Sequence, residues 1–222
     1  MPFPPLHVLF ADNHLLAVYK PAGMPVQADE SGDRDLLTAA KDWIRVDKRK
    51  TGDVYVGLVH RLDRPARGVV VLARTSKAAA RLSAQFRERS TQKTYRVVVH
   101  GTPLAPSGEL RDWLESDVRG SRLVAPDRGK ESLLAYRVRE RLGAFTELDV
   151  QLHTGRKHQI RCQLAALGHP VLGDLRYGAP APLPDRSIAL LAWRLTLTHP
   201  TLQTPLVLQA PEVAGWPLQP RG

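Results

Sequence analysis

Asp63 is the residue best placed to do chemistry. In the stretch Val59-His60-Arg61-Leu62-Asp63-Arg64-Pro65-Ala66-Arg67-Gly68-Val69, three arginines and a histidine lie within four residues of it. Guanidinium groups favour the charged form of a neighbouring carboxylate. A carboxylate held ionised on a rigid scaffold can act as a nucleophile or as a base. Apolar runs flank the stretch, Val54-Tyr55-Val56-Gly57-Leu58-Val59 before it and Val69-Val70-Val71-Leu72-Ala73 after it. Short β-branched runs bounded by Pro and Gly predict buried strands, which places Asp63 on a turn between two of them.

A second constellation lies at Arg156-Lys157-His158-Gln159-Ile160-Arg161. From the residues alone, His158 reads as a helix-start histidine and Arg161 as a surface charge. A metal site built from His60 and His158 lacks a carboxylate at ligand spacing beside either. Tyr95, within the run Lys93 to Val99, offers an aromatic face on which any base can stack. The one cysteine, Cys162, falls inside a predicted helix with nothing to activate it. A glycosidase pair needs a second carboxylate near Asp63, and none adjoins it in sequence. There is no Walker A loop and no G-x-G-x-x-G, so no cofactor is expected, and no metal either.

The elements that must position these residues follow from periodicity. Val8 to Phe10 and Leu15 to Tyr19 predict a hairpin around Asp12-Asn13. Lys20-Pro21-Ala22-Gly23-Met24-Pro25 ends it, with Lys20 read as a solvated turn lysine or an RNA contact. Asp35 to Asp47 predicts a helix with Leu36, Leu37, Ala40, Trp43 and Ile44 on one face. A basic polar loop, Lys48 to Asp53, follows. Thr75 is the expected cap of a helix over Ser76 to Arg89, with Ala78, Ala79, Leu82 and Phe86 buried. Lys93 to Val99 predicts a strand. Gly101 to Glu131 reads as turns and short strands without chemistry. Leu133 to Arg139 and Thr146 to Leu152 predict strands, the second alternating cleanly. Thr154 is the expected cap of a helix reaching Leu167, with Gly168 just past its end and Ile160, Leu164 and Leu167 toward the core. Gly168 to Gly178 is assigned a structural turn. Ile188 to Thr198 and Leu206 to Leu208 predict the last strands, before a Pro-rich tail expected to be loosely ordered. This order favours one α+β domain over residues 1–222, with a mixed, largely antiparallel sheet flanked by helices.

Composition bounds the partner. The 222 residues are 43% hydrophobic and 24% charged, with a formal net charge of +10. That charge favours a polyanion, nucleic acid first, over simple solubility in a basic background. No apolar run approaches the ~20 residues of a membrane span. Met1-Pro2-Phe3-Pro4-Pro5 lacks the features of a signal peptide, so the cytoplasm is the expected compartment. One cysteine permits no intramolecular disulfide and suits a reducing environment. The lack of an exposed apolar stripe favours a monomer.

Three motifs in order also carry a resemblance. His60-Arg61-Leu62-Asp63 followed by Gly68, the Lys93-Thr94-Tyr95 segment, and Arg156-x-His158-Gln159-Ile160-Arg161 resemble the RluA family of RNA pseudouridine synthases, and the likeness extends from Leu6 to about Pro211. Lys20-Pro21-Ala22-Gly23 and the Gly168 to Gly178 turn are similar to further family segments. The resemblance implies a pseudouridine synthase-like catalytic domain acting on ribosomal or transfer RNA, an isomerase that uses no cofactor. It implies Asp63 as the catalytic residue, Arg161 as its ionic partner, Tyr95 against the target base and Ile160 in the base pocket. Arg61 would fill the gap left by a flipped base, with His60, Lys93, Arg156 and His158 completing the RNA contacts. Some relatives carry an S4-type domain; here the chain begins with the catalytic domain, so RNA contacts are expected from it alone. The family usually has Thr/Ser-Ser/Thr before the glycine, where this chain has Ala66-Arg67, a departure that bears on loop geometry and RNA contact. That departure sustains an alternative, an RNA-binding protein on the same scaffold without catalysis. A metal-dependent nuclease is a third reading, weakened by the scarcity of clustered carboxylates.

Overall fold

The central strands are built from uninterrupted apolar runs. Leu15-Leu16-Ala17-Val18 and Val70-Val71-Leu72-Ala73 are wholly buried, so both faces of these strands are covered. Each such aliphatic side chain contributes ~1.5–3 kcal/mol on leaving water. The computed structural model describes residues 5–49, 51–103, 105–212 and 216. Met1 to Pro4, Lys50 of the basic loop and most of the Pro-rich tail lie outside them.

In chain order the elements are β1 (His7–Ala11), β2 (Leu15–Lys20), α1 (Leu36–Asp47), β3 (Gly57–Leu58), β4 (Arg67–Ala73), α2 (Ser76–Glu88), β5 (Gln92–His100), β6 (Ser107–Ser116), β7 (Ser121–Val124), β8 (Lys130–Leu142), β9 (Phe145–Leu152), α3 (Gln159–Ala166), β10 (Leu190–Thr198) and β11 (Pro205–Gln209). This is the α+β architecture expected. The chain forms two compact units, Met1–Thr91 with Ala192–Pro211, and Gln92–Leu191 with Glu212–Gly222.

In the first unit the strand order is β1-β2-β4-β10, with β3 on β4 and β11 on β10. The pairings β1–β2, β2–β4, β3–β4 and β10–β11 are antiparallel. Asp12 makes the first turn, its Oδ1 accepting from the N–H groups of His14 and Leu15 at 2.8 Å each. Its Oδ2 lies 2.8 Å from Nε2 of buried His199. His199 Nδ1 accepts from the Thr201 and Leu202 N–H groups, so Nε2 carries the proton and donates to Asp12. The Asp35 carboxylate caps α1 by accepting from Thr38 N, and Thr75 caps α2 by accepting from Ala78 N. Leu36, Ala40, Ile44, Ala78 and Leu82 are buried as expected, whereas Leu37, Trp43, Ala79 and Phe86 are half-buried. The upstream run differs from expectation: only Gly57–Leu58 is strand, because one edge of β4 is taken by β2 from Gly68 to Ala73 and the other neighbours β10, which leaves β3 only the end at Leu72–Ala73.

In the second unit the order is β5-β9-β8-β6-β7, and these pairings are antiparallel. Val97, Val99, Leu134, Leu148 and Val150 fill its core. The region read as turns and short strands contains β6, ten residues long and paired along most of its length with β8. Its alternation is blunted because both faces carry polar residues, Glu109, Arg111 and Asp112 among them. The α3 helix starts four residues later than expected. Its N-cap is His158, in the left-handed region at φ 49°, a conformation His tolerates better than β-branched residues. Thr154 is buried and does not cap; its hydroxyl donates to Gln159 Oε1 at 2.7 Å and accepts from Leu133 N at 2.9 Å. Ile160 and Leu164 are buried, while Leu167 is exposed at the helix end.

Candidate active site

Asp63 sits half-buried on the loop that leads into β4, and this loop is pinned from several sides. The Ala66 N–H donates to the Asp63 carbonyl at 3.1 Å, closing a tight turn. Gly23 N–H donates to the Arg64 carbonyl at 2.8 Å, and Arg64 Nε donates to the Gly23 carbonyl at 2.9 Å. Gly68 follows at φ 125°; a Cβ there would stand 2.3 Å from the Ala192 carbonyl oxygen, so only glycine fits. Ala66 is fully buried, and Arg67 opens β4 beside the Tyr19 hydroxyl, to which it is hydrogen-bonded. The Ala66-Arg67 departure is therefore accommodated with the turn intact.

Lys20 is neither a solvated lysine nor an RNA contact. It is fully buried, and Nζ donates to the carbonyls of Pro21 and Met24 at 2.9 Å and of Arg64 at 3.1 Å. Three acceptors match the three N–H groups of an ammonium. Burial pushes its pKa down to about 7, opposed by the charge of Asp63 and aided by those of Arg67 and Arg64. Lys20 thus ties the segment after β2 to the Asp63 loop through Arg64.

His60 holds the other side of the loop. Its Nε2 accepts from the Val71 N–H at 2.9 Å, and its ring stacks on Phe86, centroids 4.5 Å apart. Arg61 is exposed.

Arg161, Tyr95, Lys93, Arg156, His158 and Ile160 belong to the second unit. Arg161 is not a surface charge. It is buried in α3 and doubly bonded to buried Asp174, Nε to Oδ2 at 2.6 Å and Nη2 to Oδ1 at 2.9 Å. Its guanidinium carbon lies 5.0 Å from the centre of the Tyr177 ring, a cation–π contact. The Tyr177 hydroxyl in turn meets His158 Nδ1 at 3.0 Å and accepts from Ser121 N at 2.9 Å. Lys93 Nζ reaches the Thr154 carbonyl at 3.5 Å, and Arg156 Nε donates to the Glu131 carbonyl at 3.1 Å. Tyr95 is half-buried on β5 opposite Val150, and Ile160 is buried. Cys162 is unsuited to nucleophilic work: burial, then the charge of Asp112, pushes its thiol up to about 11.

Asp174 and Tyr177 are the site-shaping residues that sequence reasoning missed. Both come from the Gly168 to Gly178 turn. The available signal was a lone Asp following Gly173, whose φ is 85°. Among the described residues, no group of three or more His, Cys, Asp or Glu is arranged to hold a metal ion. No helix among them is long and apolar enough to cross a membrane.

Residues 14–166 match the family described as RNA pseudouridylate synthase, a span that contains Asp63, Tyr95 and Arg161. The ribosomal large subunit pseudouridine synthase D of Xylella fastidiosa is 35% identical over 221 residues, covering 93% of this chain and 66% of that protein. An RNA pseudouridine synthase of Chlorobaculum parvum is 34% identical, over 93% of this chain and 71% of that protein. The chain spans just under two thirds of the length of the Xylella relative and 62% of the Nitrosomonas europaea one. Among solved structures, human RNA pseudouridylate synthase domain containing 4 has the same fold, with a TM-score of 0.78 at 23% identity over 93% of this chain and 88% of that one.

Proposed function

The chain belongs to the RNA pseudouridylate synthase family, and on that premise we propose that it isomerises specific uridines in ribosomal RNA of the large subunit to pseudouridine, with Asp63 as the catalytic carboxylate. The observation that carries this reading is the family match over residues 14–166; it is supported by Asp63 lying within that span on a loop pinned by Lys20, Gly23 and His60. Preorganisation of this kind is what a reaction at one fixed carbon requires. The names of the relatives support ribosomal RNA over transfer RNA as substrate.

The reaction breaks the N1–C1′ bond, turns the uracil and joins C5 to C1′. Nothing is oxidised and no group is imported. The target base first leaves the stack, and exposed Arg61 takes its place. Asp63 then acts as an anion, by attack at C1′ or by removing the C2′ proton. Arg161 is the residue that the family likeness assigns as ionic partner of the catalytic carboxylate, and in its own unit Asp174 and Tyr177 fix the orientation of its guanidinium. Tyr95 packs on the uracil and Ile160 beside it, while Lys93, Arg156 and His158 line the RNA path. The protein works as a monomer in the cytoplasm.

Pseudouridine mapping of total RNA tests this. Cells with the wild-type chain, without it, and with Asp63→Asn are compared. The expected result is at least one large-subunit uridine modified only with the wild type. Removing a catalytic nucleophile or base lowers turnover on the order of 10⁴-fold or more, so the variant should match the deletion. An unchanged map with the protein expressed and folded would instead select the RNA-binding protein without catalysis.

A further inference from the structure

Arg64, the residue after Asp63, is enclosed by an acidic loop that the reaction above does not use. Its Nη1 donates to Asp29 Oδ2 at 3.2 Å and to Ser31 Oγ at 2.8 Å, and its Nη2 is paired with Asp33 Oδ2. The loop is folded for this purpose. Asp29 Oδ1 accepts from Ser31 N at 3.0 Å, Asp33 N–H donates to Ser31 Oγ at 3.2 Å, and Gly32 turns the chain at φ 69°. Two carboxylates and a hydroxyl thus surround one guanidinium with oxygen acceptors, much as a phosphate group would.

The setting makes the loop unusual. Asp29, Glu30, Asp33 and Asp35 fall within seven residues of a chain whose net charge is +10. They lie in the same unit as Asp63, and the Arg64 backbone is fixed there by Lys20 and Gly23. An RNA whose C1′ reaches Asp63 brings its own phosphates to the neighbouring residue. An uncompensated acidic loop would repel them.

The geometry points to Arg64 as a binding residue for a phosphate next to the target nucleotide, masked in the free protein by the carboxylates of Asp29 and Asp33, which the phosphate displaces when RNA docks. This rests on RNA being the substrate. The exchange is feasible because the pairs are exposed and weak. Arg64 trades one set of charged acceptors for another, and a phosphate presents its oxygens in the geometry a guanidinium fork prefers. The loop then acts as a selectivity device. RNA that cannot bring a phosphate to Arg64 still meets two exposed carboxylates.

The test is a double-mutant cycle on RNA affinity. Large-subunit ribosomal RNA transcribed in vitro is titrated, over a range of salt, with wild type, Asp29→Asn/Asp33→Asn, Arg64→Gln and the triple variant. Thermal unfolding confirms that each is folded. Unmasking Arg64 should tighten binding by ~3–10-fold, while Arg64→Gln should weaken it and reduce the slope of log K against log salt by about 0.7–0.9. In the Arg64→Gln background the loop substitutions should have no effect. A gain of the same size without Arg64 would mean general repulsion and overturn the proposal, as would no gain at all. An Asp63-dependent pseudouridine in the cellular map, together with either of those results, sinks the mask and leaves the enzyme reading standing. No RNA binding and no pseudouridine would remove both.

Discussion

Arg64 and Arg161 are held by carboxylates in opposite ways. The Arg161–Asp174 pair has side-chain exposures of 5% and 2%, a bidentate geometry and an aromatic face beneath it. The Arg64 pairs have exposures of 40% against 41% for Asp29 and 48% for Asp33, on a loop turned at Gly32. Low dielectric makes the first pair strong and its disruption severe, since either partner left alone is a buried charge. Water and salt screen the second, so its loss is tolerated. The lesson is that a cationic side chain can serve as fixed scaffold or as exchangeable contact according to the burial of its counter-ion. The first kind suits orientation of a reacting group, the second suits a ligand that must come and go.

The difference is broken most visibly at Asp174. Asp174→Ala removes the bidentate acceptor of buried Arg161, and the expected loss is ~3–5 kcal/mol in urea unfolding. Asp174→Asn keeps one acceptor and should lose less. A loss under about 1 kcal/mol for the alanine variant would show that the guanidinium finds water or another partner at once, and would put the two arginines in the same class.

Lys20 comes next in size and combines both behaviours, since it is buried like Arg161 but its acceptors are uncharged carbonyls. Lys20→Met leaves the carbonyls of Pro21, Met24 and Arg64 without this donor, a loss of roughly 1–3 kcal/mol at neutral pH. The pH dependence is more diagnostic. Folding lowers the lysine from 10.5 to about 7. Below pH 7 both states are protonated and stability is flat. Between pH 7 and 10.5 the unfolded state binds more protons, so wild-type stability rises with pH. Lys20→Met lacks that rise, and its deficit should therefore widen between pH 6.5 and pH 9 in paired urea titrations. A constant deficit would mean that Lys20 keeps its proton throughout and that the three carbonyls outweigh burial.

Which of these features a sequence discloses follows from the range of the interaction. Capping is local, so Thr75 marked the start of α2 correctly, while the helix expected from Asp35 begins one residue later with Asp35 as its cap. Unbroken apolar runs marked β2 and β4. The start of α3 was misplaced because Thr154 is a good cap by type but is taken by Gln159 and Leu133, and the left-handed turn at His158 has no strong residue signature. β6 was hidden by polar residues on both faces. The Arg161–Asp174 pair spans thirteen residues and the Lys20–Arg64 bond forty-four, distances at which spacing carries no information. A lysine and an arginine read as surface by composition, and only the fold shows that they are interior. The loop position of Asp63 was legible because the apolar runs on either side of it mark strands.

The smallest expected effect is at the acidic loop, and it sharpens the contrast most. Asp29→Asn and Asp33→Asn each remove one charge from an exposed pair, and each should leave unfolding stability close to that of the wild type. The Ser31 hydroxyl, the Gly23 carbonyl and the remaining aspartate still accept from Arg64 in either variant, so three of its four side-chain contacts are kept. Raising salt should erase any remaining difference, because screening acts on exposed pairs first. A salt-insensitive loss of several kcal/mol would show the loop to be structural scaffold of the Arg161 kind. Near-neutral stability, together with tighter RNA binding, would instead separate the two functions of charge in this molecule: one pair kept for the fold, the other given up to the substrate.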